Sequence, residues 1–492
     1  MNALDKVIGW IAPATGLRRA RARMMMSQVR RYDAAASGRR TDGWLAQGQS
    51  ANTEIQIALA KLRDRHRELV RNNPWAARAV QAIVNNTVGY GITAKITGNT
   101  KQRALWKAWA DTTACDADGR HDFYGLQALI LRTVAESGEC IVRKRVRRLE
   151  DGLPIPLQIQ VLEPDYLDHS KTIGLPNGGW ITQGIQFTPF GKREGYWLFK
   201  DHPGDQTSMR PLESAFVPAS EVAHVFRTDR PGQARGTPWG ASAMLTMRDL
   251  DDYEDAYLFR QKLANCQVGV ITDARDLQSG DTVEPNGQAL SETMEPGRYD
   301  FLPTGKDIRF NTPPSAGDYG PYTRDVLLRV AAAYGITFQA LTGDLSSVNF
   351  SSGRMGWIEM SRNIEAWRWQ MLIPQGCAVV AAWFVEIAQT AGASMKGVTF
   401  GWTPPRREMI DPSKEIAAMR EAIRAGLMPL SEAHRQLGED SDDLLEEYAQ
   451  VNVKIDAKNL VFDSDPRKVS AAGLAQARPA GTEIPSTDVG DT

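Results

Sequence analysis

The stretch Leu341-Thr342-Gly343-Asp344-Leu345-Ser346-Ser347-Val348-Asn349-Phe350-Ser351-Ser352-Gly353-Arg354 is polar, carries glycine near both ends and separates two segments of different character. Before it, Val326-Leu327-Leu328-Arg329-Val330-Ala331-Ala332-Ala333-Tyr334 reads as a helix that Gly335 closes, because glycine accepts the left-handed turn that ends helices. After it, Trp357, Met360, Ile364, Trp367 and Met371 recur at three- and four-residue steps and share one helical face. From Asp325 to Pro374 the reading is therefore helix, exposed loop, long helix. On periodicity alone the loop is a connector between two core helices, as most loops are.

Composition sets wide bounds. With 492 residues, 42% hydrophobic and 24% charged, the chain has room for about two to four domains and is not a disordered sequence. Its longest apolar run, Cys377 to Val385, is far shorter than the roughly 20 residues that span a bilayer, so no membrane segment is expected. The apolar stretch before Pro13 is too short for a signal peptide. Cys115, Cys140, Cys266 and Cys377 have no Cys-x-x-Cys spacing, which argues against a zinc site or a disulfide framework and for reduced, buried thiols in a cytosolic assembly compartment. Lys and Arg number 58 against 59 Asp and Glu. That balance is unlike a tight sequence-independent DNA binder, which depends on many cationic contacts to phosphate. The charge is unevenly placed: Arg18, Arg19, Arg21, Arg23, Arg30, Arg31, Arg39 and Arg40 make a basic arm, and Asp440 to Glu447 is acidic. Such an arm suits nucleic acid, an anionic scaffold, another subunit or solvent.

Along the chain, Ile55 to Ile83 predicts two helices broken at Pro74, and a third spans about Tyr124 to Glu136. Ile141-Val142-Arg143-Lys144-Arg145-Val146 and Leu157-Gln158-Ile159-Gln160-Val161 read as strands, and Ile185-Gln186-Phe187 pairs with Tyr196-Trp197-Leu198-Phe199. Thr237 and Pro238 are a favourable start for a helix running to Ala264, about 40 Å long, in which Leu245, Leu250, Tyr253, Tyr257 and Leu258 supply a packing stripe. Short strands are expected at Val268 to Ile271 and Ile308 to Phe310, and a second helix from about Tyr319. Pro374 is expected to kink or break the long helix. Asp411 and Pro412 start a helix that Gly426 ends, shorter helices follow near Ser431 to Leu437 and Ser441 to Tyr448, and disorder is expected from Ser464.

Several blocks have a shared likeness: Ala332-Ala333-Tyr334-Gly335-Ile336, the Leu341 to Ser346 and Asn349 to Arg354 runs, and Arg67 with Arg71-Asn72-Asn73. To these belong Val88-Gly89-Tyr90-Gly91-Ile92, Glu136-Ser137-Gly138-Glu139, Leu162-Glu163-Pro164-Asp165, and His224 followed by Arg230-Pro231-Gly232-Gln233-Ala234-Arg235-Gly236-Thr237-Pro238. In order and spacing they resemble the lambda-type portal proteins of tailed bacteriophages, from about Tyr32 to about Glu446. The resemblance implies an α+β, predominantly helical portal fold with wing, stem, clip and crown, assembled as a ring around a central channel. It divides the chain into a basic arm (1–50), a wing (51–236), a first stem helix (237–264), a clip (265–314), a second stem helix (315–335), a tunnel-loop region (336–354), a long wing helix (355–400), a crown (401–463) and a disordered tail (464–492).

The same resemblance implies twelve subunits, double-stranded DNA in the channel, and docking by the terminase large subunit, the major capsid protein and scaffold, and head-tail connector proteins. It implies a place at the portal vertex of the virion, after assembly in the host cytoplasm. Ser346, Ser347, Asn349, Ser351, Ser352 and Arg354 become the DNA-facing tunnel loop. Because a long helix with one apolar stripe is not fully buried in a single copy, Leu245, Leu250 and Leu258 are expected to pack partly against a neighbouring subunit. No catalytic, cofactor or metal residues are expected. The sequence has no G-x-x-x-x-G-K-[ST], H-E-x-x-H or G-x-S-x-G motif, and His66, His121, His169, His202, His224 and His434 lie apart. His224, in Val222-Ala223-His224-Val225-Phe226, reads as a hydrogen-bonded strand histidine. The alternative is a capsid-associated nuclease whose metal would sit on Asp249, Asp251, Asp252, Glu254 and Asp255, although neighbours one or two apart on a helix diverge.

Overall fold

The computed structural model describes residues 42, 48–205, 213–265, 269–273, 306–310, 319–406, 409, 411–439 and 441–462. Nearly all of the basic arm, most of the expected clip including Cys266, and the tail from Ser464 lie outside them. Two compact units are distinguished, Met1–Glu54 and Ile55–Thr492, and the first is described only at 42 and 48–54.

Helix α1 (Ala51–Asn72) gives way to α2 (Pro74–Thr87) at Asn73, whose side chain accepts from the Trp75 and Ala76 amides at 2.9 and 3.1 Å. Pro74 takes the first helical position, where its missing N–H costs nothing. Strand β1 (Thr93–Thr97), α3 (Thr100–Ala110) and α4 (Phe123–Ser137) follow. Next come β2 (Glu139–Val146) and β3 (Leu157–Leu162), then an antiparallel meander of β4 (Ile173–Gly174), β5 (Trp180–Thr182), β6 (Ile185–Phe187), β7 (Arg193–Phe199) and β8 (Ser214–Pro218). Strand β9 (Val222–Phe226) returns to β2 and makes it the centre of a β3-β2-β9 sheet. Because side chains alternate across a strand, β2 serves two cores: Cys140 and Val142 join the main helical core, and Ile141 packs with Leu162, Tyr196, Val217 and Val222 under the meander.

Helix α5 (Met244–Asn265) leads to an antiparallel pair, β10 (Gly269–Asp273) and β11 (Lys306–Phe310). Helix α6 (Tyr319–Tyr334), α7 (Phe338–Thr342) and α8 (Phe350–Trp367) follow. Tyr253 and Tyr257 on α5 meet Tyr322 and Tyr319 on α6 with ring centroids 4.5 and 4.9 Å apart. A π-helical stretch, Arg368–Cys377, joins α8 to α9 (Ala378–Thr390), after which β12 (Thr399–Thr403) pairs with β1. Helices α10 (Pro412–Arg424), α11 (Leu430–Gln436) and α12 (Ser441–Ala457) complete the described chain.

Several expectations are refined by the structure. The helix expected from Thr237 starts at Met244, because residues 239–243 form turns that press Gly240 against His66 and Tyr334. The helix at Ser441 runs past Tyr448 to Ala457. The disruption expected at Pro374 takes the form of a local widening and not of a break: the π turn absorbs the missing N–H, and the buried positions step by five, Trp367 to Leu372 to Cys377. The 350–390 helix is long and apolar enough to cross a membrane by composition, yet 61% of its most apolar window is buried within the protein, so it is a core helix. Finally, Leu250 is fully buried in its own subunit, whereas Leu245 and Leu258 are 74% and 53% exposed. The three leucines do not share one outward stripe.

Candidate functional site

Blocks far apart in sequence converge where α4, β2, β9 and the turns before α5 meet. Glu139, fully buried at the start of β2, takes Arg235 Nη2 at 2.6 Å, the Gly236 amide at 3.0 Å and His224 Nε2 at 2.8 Å. Arg235 is equally buried and also donates to the Gln183 carbonyl at 3.0 Å. Burial alone would raise the Glu139 pKa, but the Arg235 charge and the bonds from His224 and Arg235 outweigh it and hold the carboxyl well below its usual range. The backbones here are nearly touching. Gly138 adopts a left-handed φ of +92°, and a Cβ on Gly236 would overlap the Gly138 carbonyl.

Arg193 Nη1 lies 2.7 Å from His224 Nδ1. Because arginine only donates, Nδ1 must accept, and Nε2 carries the proton toward Glu139. The imidazole is therefore neutral, and burial, with Arg193 adding to it, pushes its pKa down to about 4 despite Glu139. A second buried histidine is held the same way. His66 Nδ1 donates to the Glu136 carbonyl, and Nε2 accepts from the Tyr334 hydroxyl, both at 2.6 Å, and burial lowers its pKa. Beside it, Asp165 receives Arg63 at 2.9 Å and Arg67 at 2.6 Å, and Arg67 Nε reaches Ser137 Oγ at 2.9 Å. This cluster fixes α1, α4, α6 and the root of α5 to one another.

A histidine whose pKa is lower folded than unfolded keeps its full contribution above about 6.5 and loses it as pH falls toward the folded value. For His224 the window runs from 6.5 to about 4. The expected cost by about pH 5 is on the order of 2 kcal/mol, with His66 acting in the same direction. Glu139 loses its contribution only below its ordinary range, so acid reinforces the loss. Thermal unfolding at about pH 7 and pH 5 checks this, and a His224→Gln variant should show a flatter dependence.

The 343–354 segment is held from within. Arg324 spans it, reaching Asp344 at 3.5 Å and Ser347 Oγ at 3.3 Å while lying 4.7 Å over the Phe338 ring. The Ser346 amide donates to Asp344 at 2.9 Å, and hydrogen bonds from Ser346 hold that carboxyl below its usual range. Asn349 caps α8 through a reciprocal pair with Ser352, at 2.8 and 3.1 Å. The exposed loop is thus shorter than expected, and Ser351, Ser352 and Arg354 belong to the start of α8. All six expected positions, Ser346, Ser347, Asn349, Ser351, Ser352 and Arg354, are exposed, and Arg354 has no ion-pair partner among the described residues.

The carboxylates of α5 do not converge on a metal. Asp251 accepts from Asn73 Nδ2 at 2.9 Å, Glu254 from the Tyr319 hydroxyl at 2.9 Å, and Asp252 lies 3.8 Å from Arg248. Among the described residues, the group close enough to share an ion is Glu163, Asp165 and His202, where Asp165 is already committed to Arg63 and Arg67.

Residues 37–368 match the family described as "Phage portal protein, lambda family". The chain belongs to that family. Among curated relatives of this portal family, it is 26% identical to a "Probable portal protein" of Halomonas phage phiHAP-1, with 87% of each chain covered. It is 21% identical to a "Portal protein" of Escherichia phage N15 over 83% of this chain and 86% of that one. Against "Portal protein B" of Escherichia phage lambda it is 20% identical, over 83% and 85%. A solved chain, "Neck of native GTA particle computed with C12 symmetry", aligns at TM-score 0.46 and 15% identity over 78% of this chain and 93% of that chain. The portal-family blocks quoted from the sequence include Glu139, Arg235, Asp165 and His224. Arg63, His66 and Tyr334 are the partners that sequence reading missed as partners, although Arg63 and Arg67 sit one turn apart on α1.

Proposed function

We propose that this portal-family chain closes into a ring of twelve subunits at one vertex of a phage head. Double-stranded DNA passes through its channel, inward during packaging and outward at ejection. In this reading the wing (51–236) and crown (401–463) surround the channel wall, and α5 and α6 form the stem. The 265–314 segment receives the terminase large subunit and later the connector proteins, and the major capsid protein and scaffold meet the outer surface. The exposed side chains of 343–354 face the DNA.

One observation carries the ring. The α5 and α6 helices leave Leu245, Leu258, Phe259, Tyr322 and Leu328 between 44% and 74% exposed, an apolar surface spread along both helices rather than a single stripe. A neighbouring copy covers it by a heterologous contact that closes on itself. A Leu245→Asp/Leu258→Asp double variant should fold yet give monomers by native mass spectrometry and no rings in negative stain. Leu250 is left intact, since its substitution would break the subunit itself. Intact rings from the double variant would refute the interface.

A further inference from the structure

Strand β2 carries Ile141, Arg143 and Arg145 on one face, and Arg147 continues the alternation just beyond its end. The register sets Gln160 opposite Arg143 and Gln158 opposite Arg145 on β3. One end of this face is covered, where Ile141 packs beneath the meander. Past it, Arg143 and Arg145 are half-buried and Arg147 is exposed.

Arg145 and Arg147 are oriented by hydrogen bonds, and none of the three arginines has an ion-pair partner among the described residues. Elsewhere on the chain, arginines meet carboxylates, as Arg227 does Asp229, Arg324 does Asp344 and Arg362 does Glu359. Here Arg145 gives Nε and Nη2 to Gln160 Oε1 at 2.8 and 2.6 Å, and Arg147 gives Nε to Gln158 Oε1 at 2.7 Å. Arg143 Nε is shielded from solvent with no hydrogen-bond partner among the described residues. Burial and the like charges of Arg143 and Arg147 lower the pKa of Arg145, against the field of Glu221. A neutral amide fixes a guanidinium plane without removing its charge, which leaves a row of aimed cations. Successive members are about 6.7 Å apart, two strand residues at 3.3–3.4 Å each. That step is close to the one between successive phosphates along a nucleic-acid strand.

We propose that Arg143, Arg145 and Arg147 form a phosphate-binding row for double-stranded DNA, on elements other than those carrying the 343–354 loop. The row favours DNA over an acidic protein because its members repeat at the step of successive phosphates.

The test uses the assembled full chain and a short labelled duplex, with binding measured by anisotropy across a salt series. In Arg145→Gln/Arg147→Gln, the slope of log affinity against log salt should fall in magnitude by roughly 2, about 0.9 per lost phosphate contact, for any duplex sequence. Arg145→Lys/Arg147→Lys should keep most of the slope, and both variants should form rings. An unchanged slope in the glutamine variant overturns the proposal. So does a variant that retains DNA binding but loses binding to polyglutamate, which would assign the row to an acidic protein. Because ring formation is read separately, failure here leaves the channel reading standing.

Discussion

Glu139→Ala is expected to lose about 3–5 kcal/mol of stability, because it leaves the Arg235 guanidinium in the core with no counter-charge. Arg235 is fully buried and cannot swing to water, and the Gly236 amide and His224 lose their acceptor in the same step. Losses of that size approach the whole stability of many domains, so the variant should appear largely as aggregate, with few or no rings. Glu139→Gln keeps an acceptor without the charge and should fall between. A Glu139→Leu/Arg235→Met pair removes both charges together and should recover much of the loss, since a buried pair adds little net stability over apolar groups of similar volume. Thermal unfolding of the three soluble fractions decides. If Glu139→Ala melts within a few degrees of wild type, the network is not holding the junction.

This cluster also marks where sequence stops being informative. Helix ends are legible because their signals are local: Asn73 before Pro74, Asp411 before Pro412 and Gly335 after Tyr334 act within a few residues. Strand pairing of 185–187 with 196–199 is legible for the same reason, since a short connection joins them. Glu139 and Arg235 are joined only by the fold, and so are His66 and Tyr334. Nothing in their own neighbourhoods names the partner. The family resemblance picks out most of these blocks without saying that they touch. The π stretch is missed because a step of five defeats a template of 3.6, and Leu250 is misassigned because a stripe on one helix does not say which neighbour covers it. At the loop, the six exposed residues are legible, but the reciprocal cap between Asn349 and Ser352 turns part of the loop into helix.

That cap selects the substitution that tests the channel. Ser351→Lys should leave rings intact and slow packaging in low salt, with recovery as salt rises. Ser351 is exposed at the N-terminus of α8 and makes none of the loop's internal bonds, so a lysine there adds one cation per subunit at little structural cost. Ser352 is a poorer choice, because its loss removes half of a cap and about 1 kcal/mol with it. Each phosphate contact changes affinity by roughly threefold between about 50 and 200 mM salt, so six contacts at once amount to about a thousandfold. The measurement is the packaging rate with purified terminase across that salt range, beside an image of the rings. A wild-type rate at low salt would show that Ser351 does not face the DNA, and the segment would then be a connector.

The His66 to Tyr334 bond has a mechanical consequence. Tyr334 is the last residue of α6, and Gly240 at the root of α5 sits so close that a Cβ there would overlap both the Tyr334 hydroxyl and the His66 ring. Both legs of the helical hairpin are therefore pinned at a single point on α1. A hydrogen bond of 2.6 Å tolerates only a fraction of an ångström of slip before it fails. Rotating either leg about this contact must therefore move α1 with it or break the bond.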